Sequence, residues 1–275
     1  MDKHISEAHK VVYKVNIQDT SNSYMYRRNF EKYVLAKVEV ELATVISPHI
    51  GVLDIWGLQD SLLQGMAERM GMKMSVNFTN LERGSWTTEP VHTQHDGERL
   101  IVQAQEGSDF WEETFYGFCH RNGHALLAPW DGEQAVEVSF DLSSFTELYD
   151  QAGLMLWHGE HQWIKAGVEV NDGVVHVGAV VTDQFSDWSL SPVPEWGGRI
   201  VTIRASYHQE SVVIRARTDE HPWRTIRVAR FAYPTNKQAG PFLCSPKRAG
   251  FEVAFTRWTY TPPDADLHTD PPISG

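Results

Sequence analysis

The stretch Trp163-Ile-Lys-Ala-Gly-Val-Glu-Val-Asn-Asp-Gly-Val-Val-His-Val-Gly-Ala-Val-Val-Thr182 carries the clearest fold signal in the chain. In its first half Ile164, Ala166 and Val168 alternate with Trp163, Lys165, Gly167 and Glu169, the period of a strand with one apolar face. Asn171-Asp172-Gly173 supplies the positive backbone angles of a tight turn, so Trp163–Val170 and Val174–Thr182 are expected to pair as an antiparallel hairpin. Outward from this hairpin, similar short runs occur at Leu100–Ala104, Val136–Phe140, Leu154–Trp157, Arg199–Tyr207, Ser211–Arg217, Ile226–Phe231 and Phe251–Tyr260. Gly, Asp, Asn and Pro turns separate them and no long amphipathic helix interrupts them, which predicts an all-β antiparallel sandwich.

Residues 1–73 differ in style. Val38, Val40 and Leu42 alternate with charged residues across Lys37 to Ile46, as in one half-buried strand. From Val52 to Met70 the apolar spacing is roughly helical, but Gly57 and Gly65 each oppose a helix by about 1 kcal/mol. This segment reads either as a short N-terminal extension or as sequence upstream of a start at Met72 or Met74. At the other end TPPDADLHTDPPISG (residues 261–275), with four prolines in 15 residues, is expected to be a tail that buries little surface.

A chain of 275 residues that is 41% hydrophobic and 11% aromatic can bury a sizeable core. Its net charge of −12 argues against nucleic acid or an anionic membrane as partner, since both call for a basic footprint. Cys119 and Cys244 form no CxxC pair and no metal spacing, so they are expected as buried thiols in a reducing, cytoplasmic protein. No apolar leader core and no run of about 18 apolar residues is present. Nothing in the sequence requires an oligomer.

Three stretches bear on chemistry. On a strand, Trp163, Lys165, Gly167 and Glu169 share one face, where a flat ligand such as a sugar ring could stack and hydrogen-bond. The plainer reading is a surface Lys165–Glu169 ion pair with Trp163 under a loop. Further on, Val180 to Ser189 reads as a strand running into a loop that presents Asp187 and Trp188, for binding or for capping a turn. Asp109 to Gly117 and His120 to His124 gather Trp111, Tyr116 and His124. The two histidines have ligand spacing only on a helix, and Asn122-Gly123 makes a turn instead, so no metal is expected. From Arg199 to Trp258 eleven Lys or Arg face four acids, a local charge of +7. There Arg204, flanked on its face by Thr202 and Ser206, could bind an anion, or the arginines pair across strands with acids. Neither a G-x-S-x-G elbow, a P-loop, H-E-x-x-H nor a dinucleotide fingerprint occurs, and no cofactor is expected.

Taken in order, DFWEETFYGF, NGH, LYDQAGLM, WIKAGVE, NDG, VVTDQFSDWS and CSPKRAGFEV resemble the regulation-of-enolase family, over roughly residues 74–260. The resemblance implies a concanavalin A-like β-sandwich, or jelly roll, and a link to sugar metabolism, but no reaction. The leading expectation is a site for a carbohydrate, sugar acid or sugar phosphate on the concave sheet. Trp163 would stack there, Lys165 and Arg204 would donate to ligand oxygens, and Glu169 would accept. One alternative is a carbohydrate-active enzyme, with the carboxyls of Glu169 and Asp187 converging within about 5–10 Å. The other is a regulatory interaction domain with a flat apolar patch.

Overall fold

The computed structural model describes Phe78 and residues 81–130, 134–233 and 235–272; the expectations for Lys37 to Ile46 and Val52 to Met70 lie outside them. The described chain is built from strands, with two 3-10 turns and no longer helix. Its first five strands are β1 (Ser85–Trp86), β2 (His92–His95), β3 (Leu100–Gln103), β4 (Phe110–Glu112) and β5 (Cys119–Arg121). There follow β6 (His124–Pro129), β7 (Ala135–Asp141), β8 (Gln151–Gly159), β9 (Gln162–Asn171), β10 (Val174–Asp183) and β11 (Phe185–Pro192). The last are β12 (Ile200–His208), β13 (Ser211–Thr218), β14 (Arg224–Arg230), β15 (Gln238–Cys244) and β16 (Glu252–Thr261).

Two seven-stranded sheets result, one in the order β1-β6-β15-β8-β9-β10-β11 and the other β14-β13-β12-β7-β16-β3-β2. All their strand pairs are antiparallel. The chain crosses repeatedly between the sheets, and this is the concanavalin A-like sandwich. Alternation decides which side of each strand meets the other sheet. Leu154, Leu156, Ile164, Ala166 and Val168 of the first sheet meet Val138, Phe140, Ile203, Ile214 and Phe255 of the second in one buried core. Residues between them point outward, and the two outer faces differ.

The second sheet's outer face is polar. Thr259, Glu137, Arg204 and Arg215 stand in register across four strands. Residues 261–270, most of them exposed as expected for this Pro-rich segment, nevertheless run over these arginines as a strap. Asp264, its side chain only 4% exposed, receives Arg204 Nε (2.8 Å) and pairs with Arg215. Arg204 also reaches Glu137 (2.7 Å) and the Pro262 carbonyl (2.7 Å), and Arg215 reaches the Leu267 carbonyl (2.7 Å). The sheet alternation therefore gathers the arginines on one face, and their charge is neutralised locally. Among the described residues no helix is long and apolar enough to cross a membrane.

Candidate functional site

The outer face of the first sheet bears the site. Register places Met155, Lys165, Val180 and Trp188 in one row, Gly153, Gly167, Gly178 and Leu190 in the next, and Gln151, Glu169, His176 and Pro192 beyond. The β4–β5 hairpin lies over one end of this face. Phe110 packs against Trp163 and Trp157 at ring separations of 5.9 and 6.1 Å, within a second apolar cluster that includes Met155, Val180, Phe242 and Cys244. The Glu112 N–H donates to Ser186 Oγ (2.9 Å), pinning the hairpin to β11. Arg121 grips the Glu112 carboxylate through two bonds of 2.6 and 2.8 Å. Burial alone would raise the Glu112 pKa, yet Arg121 holds it below the usual carboxylate value.

Beside the hairpin opens a cleft of about 360 Å³. Its floor is a network around a buried ammonium. Lys165 Nζ donates to Asp109 Oδ1 (2.9 Å) and Gln151 Oε1 (2.8 Å), and Gln151 Nε2 donates to the same Asp109 oxygen (3.3 Å). Asp109 also accepts from the Phe110 N–H (2.8 Å), which fixes the carboxylate at the start of β4. Burial opposes the Lys165 charge, but Asp109 and the other nearby anionic groups win, so its pKa lies above the ordinary value. Glu169, two positions along the same face, is pushed up to about 7 by burial; Lys165 opposes this and Asp109 adds to it.

The wall is aromatic. Trp188 meets Trp111 at 6.3 Å, Trp111 meets Tyr116 at 5.8 Å, Tyr116 stacks on Phe118 at 5.1 Å, and Phe118 meets His120 at 4.8 Å. The loop carrying Tyr116 holds Glu113 and Phe115 at φ 57° and 65°, a left-handed conformation that costs non-glycine residues on the order of 1 kcal/mol or more and recurs at binding sites. Trp111 Nε1 braces it by donating to the Thr114 carbonyl (3.0 Å). Tyr149 and Lys247 close the far rim, with the ammonium 5.9 Å from the ring centre.

Of the residues expected from sequence, the cleft brings together Trp111, Tyr116, Lys165, Glu169 and Trp188. Four others lie elsewhere. Trp163 is on the expected face but 1% exposed; the hairpin covers it and its indole N–H donates to the Glu160 carbonyl, so it cannot stack on a ligand. Arg204 is on the other sheet, under the strap. His124 is wholly buried, accepting from the Gln105 N–H (3.0 Å) and bonding the Thr88 carbonyl (3.0 Å). Asp187 is on strand β11 rather than in a loop. It pairs in register with Val181 and so shares the side of Ile164, and it bonds Arg227 at 2.7 Å. Glu169 and Asp187 therefore point to opposite sides of the sheet and cannot act as an acid–base pair on one substrate. Sequence reasoning missed Asp109, Phe118, His120, Tyr149, Gln151 and Lys247, although each belongs to or adjoins a motif quoted above. Gln151 sits directly across from Glu169, a neighbour that only the strand register reveals. No metal-binding cluster of His, Cys, Asp and Glu occurs among the described residues.

A concanavalin A-like sandwich with a polar-floored, aromatic-walled cleft on one outer face defines the class. Residues 86–263 match the family described as "Protein of unknown function (DUF1349)", and the chain belongs to that family. It is 33% identical over 187 residues to "Regulation of enolase protein 1" of Saccharomyces cerevisiae, covering 67% of this chain and 92% of that one. The crystal structure of a functionally unknown protein from Saccharomyces cerevisiae superposes with a TM-score of 0.62 at 31% identity, over 68% of this chain and all of that one. An uncharacterized protein of Emericella nidulans is 34% identical over 73 residues, 25% of this chain and 36% of its own length.

Proposed function

We propose that the cleft binds a carbohydrate, either a neutral sugar or a sugar acid or phosphate. The observation that carries this reading is the juxtaposition of the buried Lys165–Asp109–Gln151 network with the rings of Trp111, Tyr116, Phe118 and Trp188 in one cavity. Sugar rings present apolar C–H faces to aromatic side chains and hydroxyl edges to fixed donors and acceptors, and small-ligand sites combine those elements in this size range. A flat apolar surface, suited to a protein partner alone, would have no use for an ammonium held by two hydrogen bonds from below. Two unpaired cysteines, Cys119 and the buried Cys244, support a reducing compartment, and a cytoplasmic location is part of the same proposal.

The test is a calorimetric titration of the full chain with neutral sugars, sugar acids and sugar phosphates, repeated with Trp188→Ala. Saturable binding by one class, weakened about tenfold or more in the variant, is expected. Silence across the panel from folded protein would overturn the reading and turn attention to a protein partner.

A further inference from the structure

Between Lys165 and Glu169 the sheet has no side chain. Gly167 occupies that position and Gly178 lies across from it on β10. Above these glycines is a hollow of about 20 Å³, and Gln151, Lys165, Glu169, Val180 and Trp188 line both it and the cleft. Neighbouring backbone prevents a larger residue from taking the space. A Cβ at Gly178 would stand 2.0 Å from the Ser189 carbonyl oxygen, and one at Gly167 would stand 2.1 Å from that of Ala152. A water molecule needs roughly 10–15 Å³ of such space. One oxygen-sized group therefore fits within the hollow itself.

The polar groups around the hollow are unevenly spent. Lys165 has three N–H donors, and Asp109 and Gln151 take two of them. The Glu169 carboxyl makes no hydrogen bond among the described residues; burial and the charges of Lys165 and Asp109 are what it feels. One side of the hollow thus offers a donor and the other an acceptor. A hydroxyl, which accepts and donates at once, satisfies both. Above about pH 7, where Glu169 is mostly ionised, a carboxylate or phosphate group would instead meet a carboxylate, so the comparison is made at pH 8.

We infer that this hollow is a hydroxyl-recognition subsite, seating one neutral O–H of the ligand between Lys165 and Glu169. The inference rests on the sugar reading of the cleft and narrows it to neutral ligands: the group that reaches the sheet is a sugar or polyol hydroxyl, and an acidic group on the ligand disfavours binding.

The experiment compares hexoses with their uronic acids, their 6-phosphates and their monodeoxy derivatives by calorimetry on the full chain. The neutral sugar is expected to bind at least tenfold more tightly than its acid or phosphate. One monodeoxy analogue, the one lacking the seated hydroxyl, is expected to lose tenfold or more, because it leaves the third Lys165 donor and the Glu169 carboxyl without that partner. Glu169→Gln should weaken the neutral sugar about fivefold or more and narrow its advantage over the acid. An acid or phosphate binding as tightly as the neutral sugar would refute the subsite and leave the cleft reading standing. If no compound of either kind binds, both fail. The selectivity is read on unaltered protein, so it decides the matter even should Glu169→Gln not fold.

Discussion

Replacing Asp109 by Asn leaves Lys165 buried with its charge unmatched. Lys165 has a side chain 6% exposed, and Asp109 one 20% exposed. Removing one partner of a buried pair costs about 3–5 kcal/mol. Asn keeps an oxygen for Lys165 and the Phe110 N–H, and Asp109 is partly wet, so a loss of about 2–3 kcal/mol is expected at pH 7. The pH dependence gives the sharper signature. In the native protein the folded Lys165 pKa is raised above its unfolded value of about 10.5. Its stabilising contribution is therefore fully present below that pH and is lost as pH rises through the folded pKa. Without the Asp109 charge, burial becomes the dominant influence and the folded pKa drops below the unfolded one. The unfolded chain then binds more protons over the window between the two, so stability rises with pH there. Urea unfolding of both proteins between pH 7 and 10, followed by tryptophan fluorescence, should show the deficit of Asp109→Asn shrinking toward pH 10. The double variant Asp109→Asn/Lys165→Met, which removes the charge as well, should recover to within about 1 kcal/mol of the native protein at pH 7. A deficit under about 0.5 kcal/mol, or one that stays constant across this pH range, would refute the reasoning that the network is a buried ion pair.

Trp188→Ala and Trp163→Ala should separate binding from folding. Trp188 is 40% exposed and its loss should cost under about 1 kcal/mol of stability, whereas Trp163, 1% exposed, should cost about 3–5 kcal/mol in a denaturant titration. Equal costs would contradict the assignment of Trp163 to the packing under the hairpin. Gly178→Ala forces β10 and β11 apart at the Ser189 carbonyl and is expected to destabilise by about 1–3 kcal/mol, with faster amide exchange along β11; unchanged exchange there would count against the close approach. Asp264→Asn withdraws the carboxylate shared by Arg204 and Arg215. A loss of about 3 kcal/mol, or a Tm lowered by about 6–12 °C, is expected, and a Tm within about 2 °C of native would mean that the strap holds little.

The fold could be read from sequence wherever a strand packs one face on the core, because burial then imposes period 2. That is the case for Trp163–Val170 and Val174–Thr182, and for the runs at Val136, Arg199, Ser211 and Phe251. It could not be read for Phe185–Pro192. This edge strand directs Asp187 and Ser189 to Arg227 of the other sheet rather than into apolar packing, so no alternation develops. Gln238–Cys244 was hidden by Gly240 and Pro241, which argue against a central strand. The structure tolerates them because pairing with β6 skips both positions while pairing with β8 continues. The site was half visible. Alternation put Lys165 and Glu169 on one face, but covering that face depends on a hairpin more than 40 residues upstream in sequence, and no local pattern encodes that Phe110 lies on Trp163. In the same way alternation put Arg204 on one face with Thr202 and Ser206, while its neighbour Glu137 follows only from strand register and the carboxylate that completes its coordination comes from a Pro-rich segment that offers no strand signal.

The strap also couples folding to the order of synthesis. Glu137 is made 67 residues before Arg204, and Arg204 is made 60 residues before Asp264. At translation speeds of 5–20 residues per second, roughly 3–12 s separate Arg204 from the second of its two acidic partners. Over that interval the second sheet also lacks β16, the strand that joins β7 to β3, so half of the sandwich stays open while its arginines leave the ribosome. A nascent chain paused between Thr261 and Asp264 would present two guanidinium groups that the folded protein keeps almost entirely from solvent.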